Sequence, residues 1–142
     1  MGLMVFSDAW ARAWCAGLNE SETYREAAAT WEGSVALIVA AGAEASSGGV
    51  FVDLARGACR AARTATPGDL DTATFVIAGA APVWRGLLEG RTELLAALLR
   101  GQLRIVRGNL GTLLRYLAAA RHMIEAATRL ETDFPQDWLG GP

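Results

Sequence analysis

The sequence predicts an α+β domain: one five-stranded, mostly antiparallel sheet with about five helices packed on it. Three observations carry this reading. Helical periodicity opens and closes the chain, β alternation fills its middle, and the connections between them are short turns marked by glycine or proline. At 142 residues, 52% hydrophobic and 20% charged, the chain is long and apolar enough to build its own core. No internal repeat or long linker divides it. Residues 1–130 are expected to form the domain and 131–142 a tail.

Ser7 is a good N-cap, and Trp10, Trp14 and Leu18 follow at spacings of four, so a first amphipathic helix is predicted to end near Asn19. Ser21 caps a second, ending around Thr30. Trp31 to Ala41 alternates Val35, Leu37 and Val39 with Ala36, Ile38 and Ala40. Both faces are apolar, which suits a central strand covered on both sides. After a turn of small residues from Ala43 to Gly49, Val50–Arg56 and Ala58–Thr64 read as two more strands broken by Gly57, an antiparallel meander.

Pro67-Gly68 with Asp69 and Asp71 reads as a loop, and Phe75–Ala78 as a fourth, buried strand. Pro82 sits in the first turn of a helix carrying Trp84, Leu87 and Leu88 and closed by Gly90. Thr92 is expected to cap the next helix, with Leu94, Leu95, Leu98 and Leu99, ended by Gly101. Gln102–Arg107 is the fifth strand. Gly108-Asn109 then turns the chain into a last helix from about Leu110 to about Leu130, with Phe134 and Trp138 as anchors for a loose end.

Charge and motif patterns exclude several functions. A formal charge of −2 argues against a general nucleic-acid binder. The charge is uneven, with eight arginines from Arg85 to Arg129 against Glu89, Glu93 and Glu125. That segment is either a solvated basic face or a patch that meets an anionic head group. Cys15 and Cys59 lack CxxC spacing and are expected to be reduced thiols in a cytoplasmic protein. No secretory signal and no integral membrane segment is expected, since the longest apolar run, Val35–Ala43, is too short to span a bilayer. His122, the one histidine, has no Ser, Cys or carboxylate at a recognisable spacing. No phosphate loop follows any strand. Neither an enzyme nor a cofactor is expected.

The segment Gly101, Leu103-Arg104-Ile105, Gly108-Asn109 and the leucines from Leu110 to Leu117 resembles the sterol carrier protein type 2 family. In that family a glycine, a strand of alternating aliphatic and basic residues, a Gly-Asn or Gly-Asp turn and a final helix occur in this order. The likeness runs from about Trp10 to Ala127. It takes in Trp31-x-Gly33, the strand at Phe75–Ala78 and the helix with Trp84, Leu87, Leu88 and Gly90. One departure is Val106, an extra residue before Gly108 that reads as a bulge or a shifted turn.

The resemblance implies a hydrophobic tunnel between the sheet and the C-terminal helices. Its implied ligand is a long-chain fatty acid, an acyl-CoA or another lipid, held without chemistry. Trp84, Leu87, Leu88, Leu95, Leu98, Leu99, Ile105, Leu113, Leu117 and Met123 are the candidate lining residues; each is otherwise ordinary core. Arg104, Arg107 and Arg115 are candidate head-group contacts at a tunnel mouth. The alternative is an interaction module of the same fold with its cavity filled, pairing as a homodimer or assisting a partner enzyme.

Overall fold

A computed structural model of the chain describes residues 2–40 and 48–138. Its strands are β1 (Leu3–Met4), β2 (Glu32–Ala40), β3 (Gly49–Ala55), β4 (Ala58–Thr64), β5 (Phe75–Ala80), β6 (Leu103–Arg107) and β7 (Thr132–Asp133). Its helices are α1 (Asp8–Glu20), α2 (Glu22–Ala27), α3 (Pro67–Thr72), α4 (Ala81–Leu88), α5 (Leu94–Leu99), α6 (Leu110–Arg115) and α7 (Leu117–Thr128). The five-stranded sheet has the order β4-β3-β2-β5-β6, antiparallel except where β5 returns beside β2. This is the expected α+β fold. The turn expected at Ala43 to Gly49 lies, as far as residue 47, outside the described residues.

Alternation along the strands separates two cores. Val35, Leu37 and Val39 of β2, Val50, Val52 and Leu54 of β3 and Ile77 of β5 point into the larger one, under α1, α2, α4 and α7. Ala36, Ile38, Phe51 and Val76 point the other way, against Leu70 and Ala73 of the α3 region. The two apolar faces of β2 are thus both covered, as a central strand requires. Arg56 and Gly57, at φ of 52° and 85°, make the β3–β4 turn. Positive φ at both central residues is the twist-matching hairpin geometry.

Four local expectations are corrected. The Pro67-Gly68-Asp69 loop is a short helix, because Thr66 and Asp69 cap each other reciprocally at 3.1 and 3.0 Å and Pro67 occupies the first turn. Asp69 is also held by two bonds from Arg63, whose guanidinium keeps its carboxyl below the usual carboxylate range. Glu93, not Thr92, caps α5: its carboxylate accepts from the Leu95 amide at 2.9 Å.

The single last helix is two, broken at Tyr116, where ψ rises to 24°. The described part of the tail, as far as Trp138, is not loose. β7 pairs with β1, and Trp138 is buried with its ring 5.7 Å from that of Phe6.

The cysteines are also corrected. Cys15 of α1 and Cys59 of β4 form a disulfide, with Cα atoms 5.4 Å apart. Their separation of 44 residues hides a direct crossing of α1 over β4. Asn19 holds the same crossing from both sides. Its amide donates to the Cys59 carbonyl at 3.0 Å, and its side-chain oxygen accepts from the Cys59 amide at 2.8 Å.

The bulge at Val106 is present. Ile105 pairs with Ile77 and Arg107 with Val76, so Val106 is the extra residue, 58% exposed. Beyond it the chain leaves β6 through Gly108, at φ 120°. A Cβ there would stand inside the Phe75 ring, so only glycine fits.

Candidate functional site

An apolar cavity of about 80 Å³ lies between the sheet and the helical layer. The sheet supplies Val35, Leu37, Leu54, Phe75, Ile77 and Leu103, the inward-facing residues of four strands. Opposite them stand Leu113, Tyr116, Ala119, Ala120, Met123 and Ile124 from α6, its junction with α7, and α7 itself. Small Ala119 and Ala120 leave the space that larger side chains would take. Trp14, Tyr24, Trp31, Trp84 and Leu94 close the sides.

The aromatic side chains are oriented by hydrogen bonds that tie separate elements together. The Trp14 indole N–H donates to the Met123 carbonyl at 2.9 Å and so fixes α1 to α7. Trp84 donates to the Ile38 carbonyl at 2.9 Å, fixing α4 to β2. Trp31 donates to Gly33 and packs against the rings of Phe75 and Tyr116 at 5.5 and 5.2 Å. The Tyr116 hydroxyl bonds to both Thr30 oxygens, at 2.9 and 3.2 Å. This last set accounts for the break between α6 and α7, since it draws Tyr116 toward Thr30 and Trp31.

Of the expected lining residues, Trp84, Leu113 and Met123 face the cavity. The other seven do not line it. Leu87 and Leu88 are buried in the surrounding core, and Leu98 and Leu117 are half-buried against it. Leu95 and Ile105 are half-buried and outside the lining, Ile105 on the same sheet face as Leu103 but beside the space rather than in it. Leu99 is 79% exposed, because a helix of only six residues turns just Leu94 and Ala97 inward.

None of the three arginines lines the cavity. Arg107 donates to the Leu70 and Ala73 carbonyls at 2.6 and 3.2 Å, a clamp on the end of α3. Arg104 and Arg115 are exposed.

The residues missed by pattern reading are the six on the sheet, the aromatic residues Trp14, Tyr24, Trp31 and Tyr116, and Leu94, Ala119, Ala120 and Ile124 of the helices. The usable signal was the inward alternation of β2, β3 and β5, whose apolar residues outnumber what α1 and α2 alone cover. The lining carries no charged side chain, so its chemistry is burial of apolar surface. Among the described residues no group of three or more His, Cys, Asp and Glu is placed to hold a metal, and no helix is long and apolar enough to cross a membrane.

Comparison with known proteins matches residues 13–121 to the SCP-2 sterol transfer family. A crystal structure of sterol carrier protein 2 is 42% identical, with a TM-score of 0.78 over 89% of this chain and 98% of that one. The solution structure of a conserved hypothetical protein from Thermus thermophilus is 40% identical, with a TM-score of 0.79 over 93% of each chain. Sterol carrier protein 2 from Yarrowia lipolytica in its apo form is 15% identical with a TM-score of 0.56, covering 83% of this chain and 88% of that one, a likeness of fold alone. No curated protein matches the chain.

Proposed function

Because this chain belongs to the SCP-2 sterol transfer family, we propose that it is a non-catalytic carrier. It holds a long-chain fatty acid, an acyl-CoA or a similar lipid in the cavity beneath α6 and α7. The observation that carries this reading is an uncharged, aromatic-walled cavity to whose wall α6, a helix with no buried residue, contributes Leu113. Binding comes from burying methylenes at about 0.8 kcal/mol each. Eight of them contribute around 6 kcal/mol before the cost of association.

At about 80 Å³ the cavity is smaller than the roughly 150 Å³ that admits a benzene-sized guest. A lipid chain therefore enters by displacing part of the wall, and α6 is the part with least to lose. In this reading Trp84, Leu113 and Met123 touch the chain directly. An anionic head group stays outside, within reach of the exposed Arg115, whereas Arg104 alternates with Leu103 and so stands on the other face of the sheet.

Native mass spectrometry of the protein as purified from cells tests the reading; a co-purifying lipid supports it. A ligand-free chain that also fails to bind a fluorescent fatty acid sinks it. Ala120→Leu, which fills the cavity from α7, is expected to abolish uptake while keeping a cooperative thermal transition. A second reading, an interaction module, is favoured by the exposed Val106, Leu110 and Leu114 (58%, 53% and 44%) beside edge strand β6. A ligand-free dimer in the same spectra would decide for it.

A further inference from the structure

A second hollow, of about 270 Å³, opens at the surface between the start of α5 and the later part of α7. Glu93, Arg121 and Thr128 stand on its rim, and Leu94 and Ile124 lie at its floor over the buried Leu87. Leu94 and Ile124 also line the cavity. Where the two spaces meet, the wall between them is these two side chains.

The hollows lie in a row along α7, whose 12 residues span about 18 Å at 1.5 Å per residue. The cavity takes its α7 lining from Ala119, Ala120, Met123 and Ile124, the second hollow from Arg121, Ile124, Glu125 and Thr128. The second hollow therefore continues the cavity past Ile124, away from α6. A chain that enters past α6 meets Leu94 and Ile124 at the far end.

Little holds that end shut. Leu94 is the first residue of a six-residue helix, and Ile124 is half-buried. The strap across them is the Arg121 guanidinium, which donates to Glu93 at 3.2 Å, and both side chains are about half exposed. An exposed pair of this kind contributes little to stability. Nor does the rim call for an ionic ligand: Arg121 is matched by Glu93, and Glu125 by Arg129 at 3.5 Å. What the hollow offers unmatched is its apolar floor, which suits the methylene end of a chain.

We propose that Leu94 and Ile124 form a partition that sets how long a chain the protein holds. Shorter chains end against it; longer ones part it and lay their terminal methylenes in the second hollow. The inference rests on the carrier reading above and adds its chain-length specificity.

The test is a calorimetric titration of wild type, Thr128→Trp and Ile124→Trp with the even-numbered fatty acids from octanoate to hexadecanoate. A methylene taken out of water is worth about fourfold in affinity, so wild-type affinity is expected to climb through the series. Thr128→Trp puts an indole into the second hollow from its rim, outside the cavity lining. It is expected to weaken hexadecanoate about tenfold or more and leave octanoate unchanged. Ile124→Trp thickens the partition and is expected to lower the ratio of hexadecanoate to octanoate affinity by about as much. Should that variant not fold, Thr128→Trp decides alone. The same climb in wild type and Thr128→Trp overturns the partition, and so does an equal loss for both acids. A wild type that binds octanoate but gains nothing with length also overturns it and leaves the carrier reading standing. If wild type binds none of the acids, the carrier reading itself fails, and the partition with it.

Discussion

Helices α1 and α6 both supply a side chain to the cavity, Trp14 from one and Leu113 from the other, but they are held in opposite ways. Helix α1 buries Trp10, Ala11, Trp14 and Leu18 and is capped by Ser7. It is joined to β4 by the Cys15–Cys59 disulfide and by both bonds of Asn19. Helix α6 buries no residue, exposes Leu110 and Leu114, and is capped by Asn109. Its end is held through Tyr116, which reaches Thr30 and Trp31. A cavity with one stapled wall and one lightly held wall can open on one side without unfolding the other.

The largest expected effect is on the stapled side. Trp14→Ala removes a fully buried indole and its bond to Met123, and is expected to lower the free energy of unfolding by about 3–5 kcal/mol in a urea titration. A loss below about 1 kcal/mol would mean that α1 is no firmer than α6. Next in size is the disulfide. Closing a 44-residue separation, it is expected to contribute about 2–4 kcal/mol. Cys15→Ser with Cys59→Ser, and wild type in dithiothreitol, should both show that loss; equal stability with and without reductant would remove the staple from the account.

The smallest effect belongs to α6. Leu110→Ser with Leu114→Ser is expected to change stability by no more than about 0.5 kcal/mol. Hydrogen exchange sharpens the same contrast: amides of α6 should exchange at least tenfold faster than those of α1. Equal protection in the two helices would make the cavity a closed core feature and undercut entry past α6.

The cysteines and the tail were misread for one reason. Both readings judged segments by their sequence neighbours, and both segments are held by residues far away in the chain. Cys15 and Cys59 carry no motif, yet α1 lies across β4. The tail has no apolar period, and although Trp138 packs on Phe6 as the anchor expected of it, Thr132 also accepts a hydrogen bond from the Trp10 indole at 2.9 Å, which no neighbour in sequence announces. The α6–α7 break follows the same logic. The leucine stripe through Leu113, Leu114 and Leu117 continues without interruption, and the break comes from what Tyr116 touches.

The five strands of the main sheet, the apolar faces of β2 and the glycine turns are local properties, and they are legible residue by residue, whereas the bulge at Val106 showed only as a departure from the family's pattern. Alternation, caps and turn residues act over spans of a few positions, so a single chain displays them directly. Membership of the lipid-carrier family is likewise readable from the ordered set around Gly101 to Leu117. Which leucines border the cavity is a different kind of fact. A helix stripe states that a face is apolar, not which neighbour it meets. Only packing decided that Leu113 faces the cavity, that Leu99 faces water, and that Leu94 and Ile124 stand between two hollows. Those outcomes depend on how six or more remote segments share one volume, and no window of sequence contains that balance.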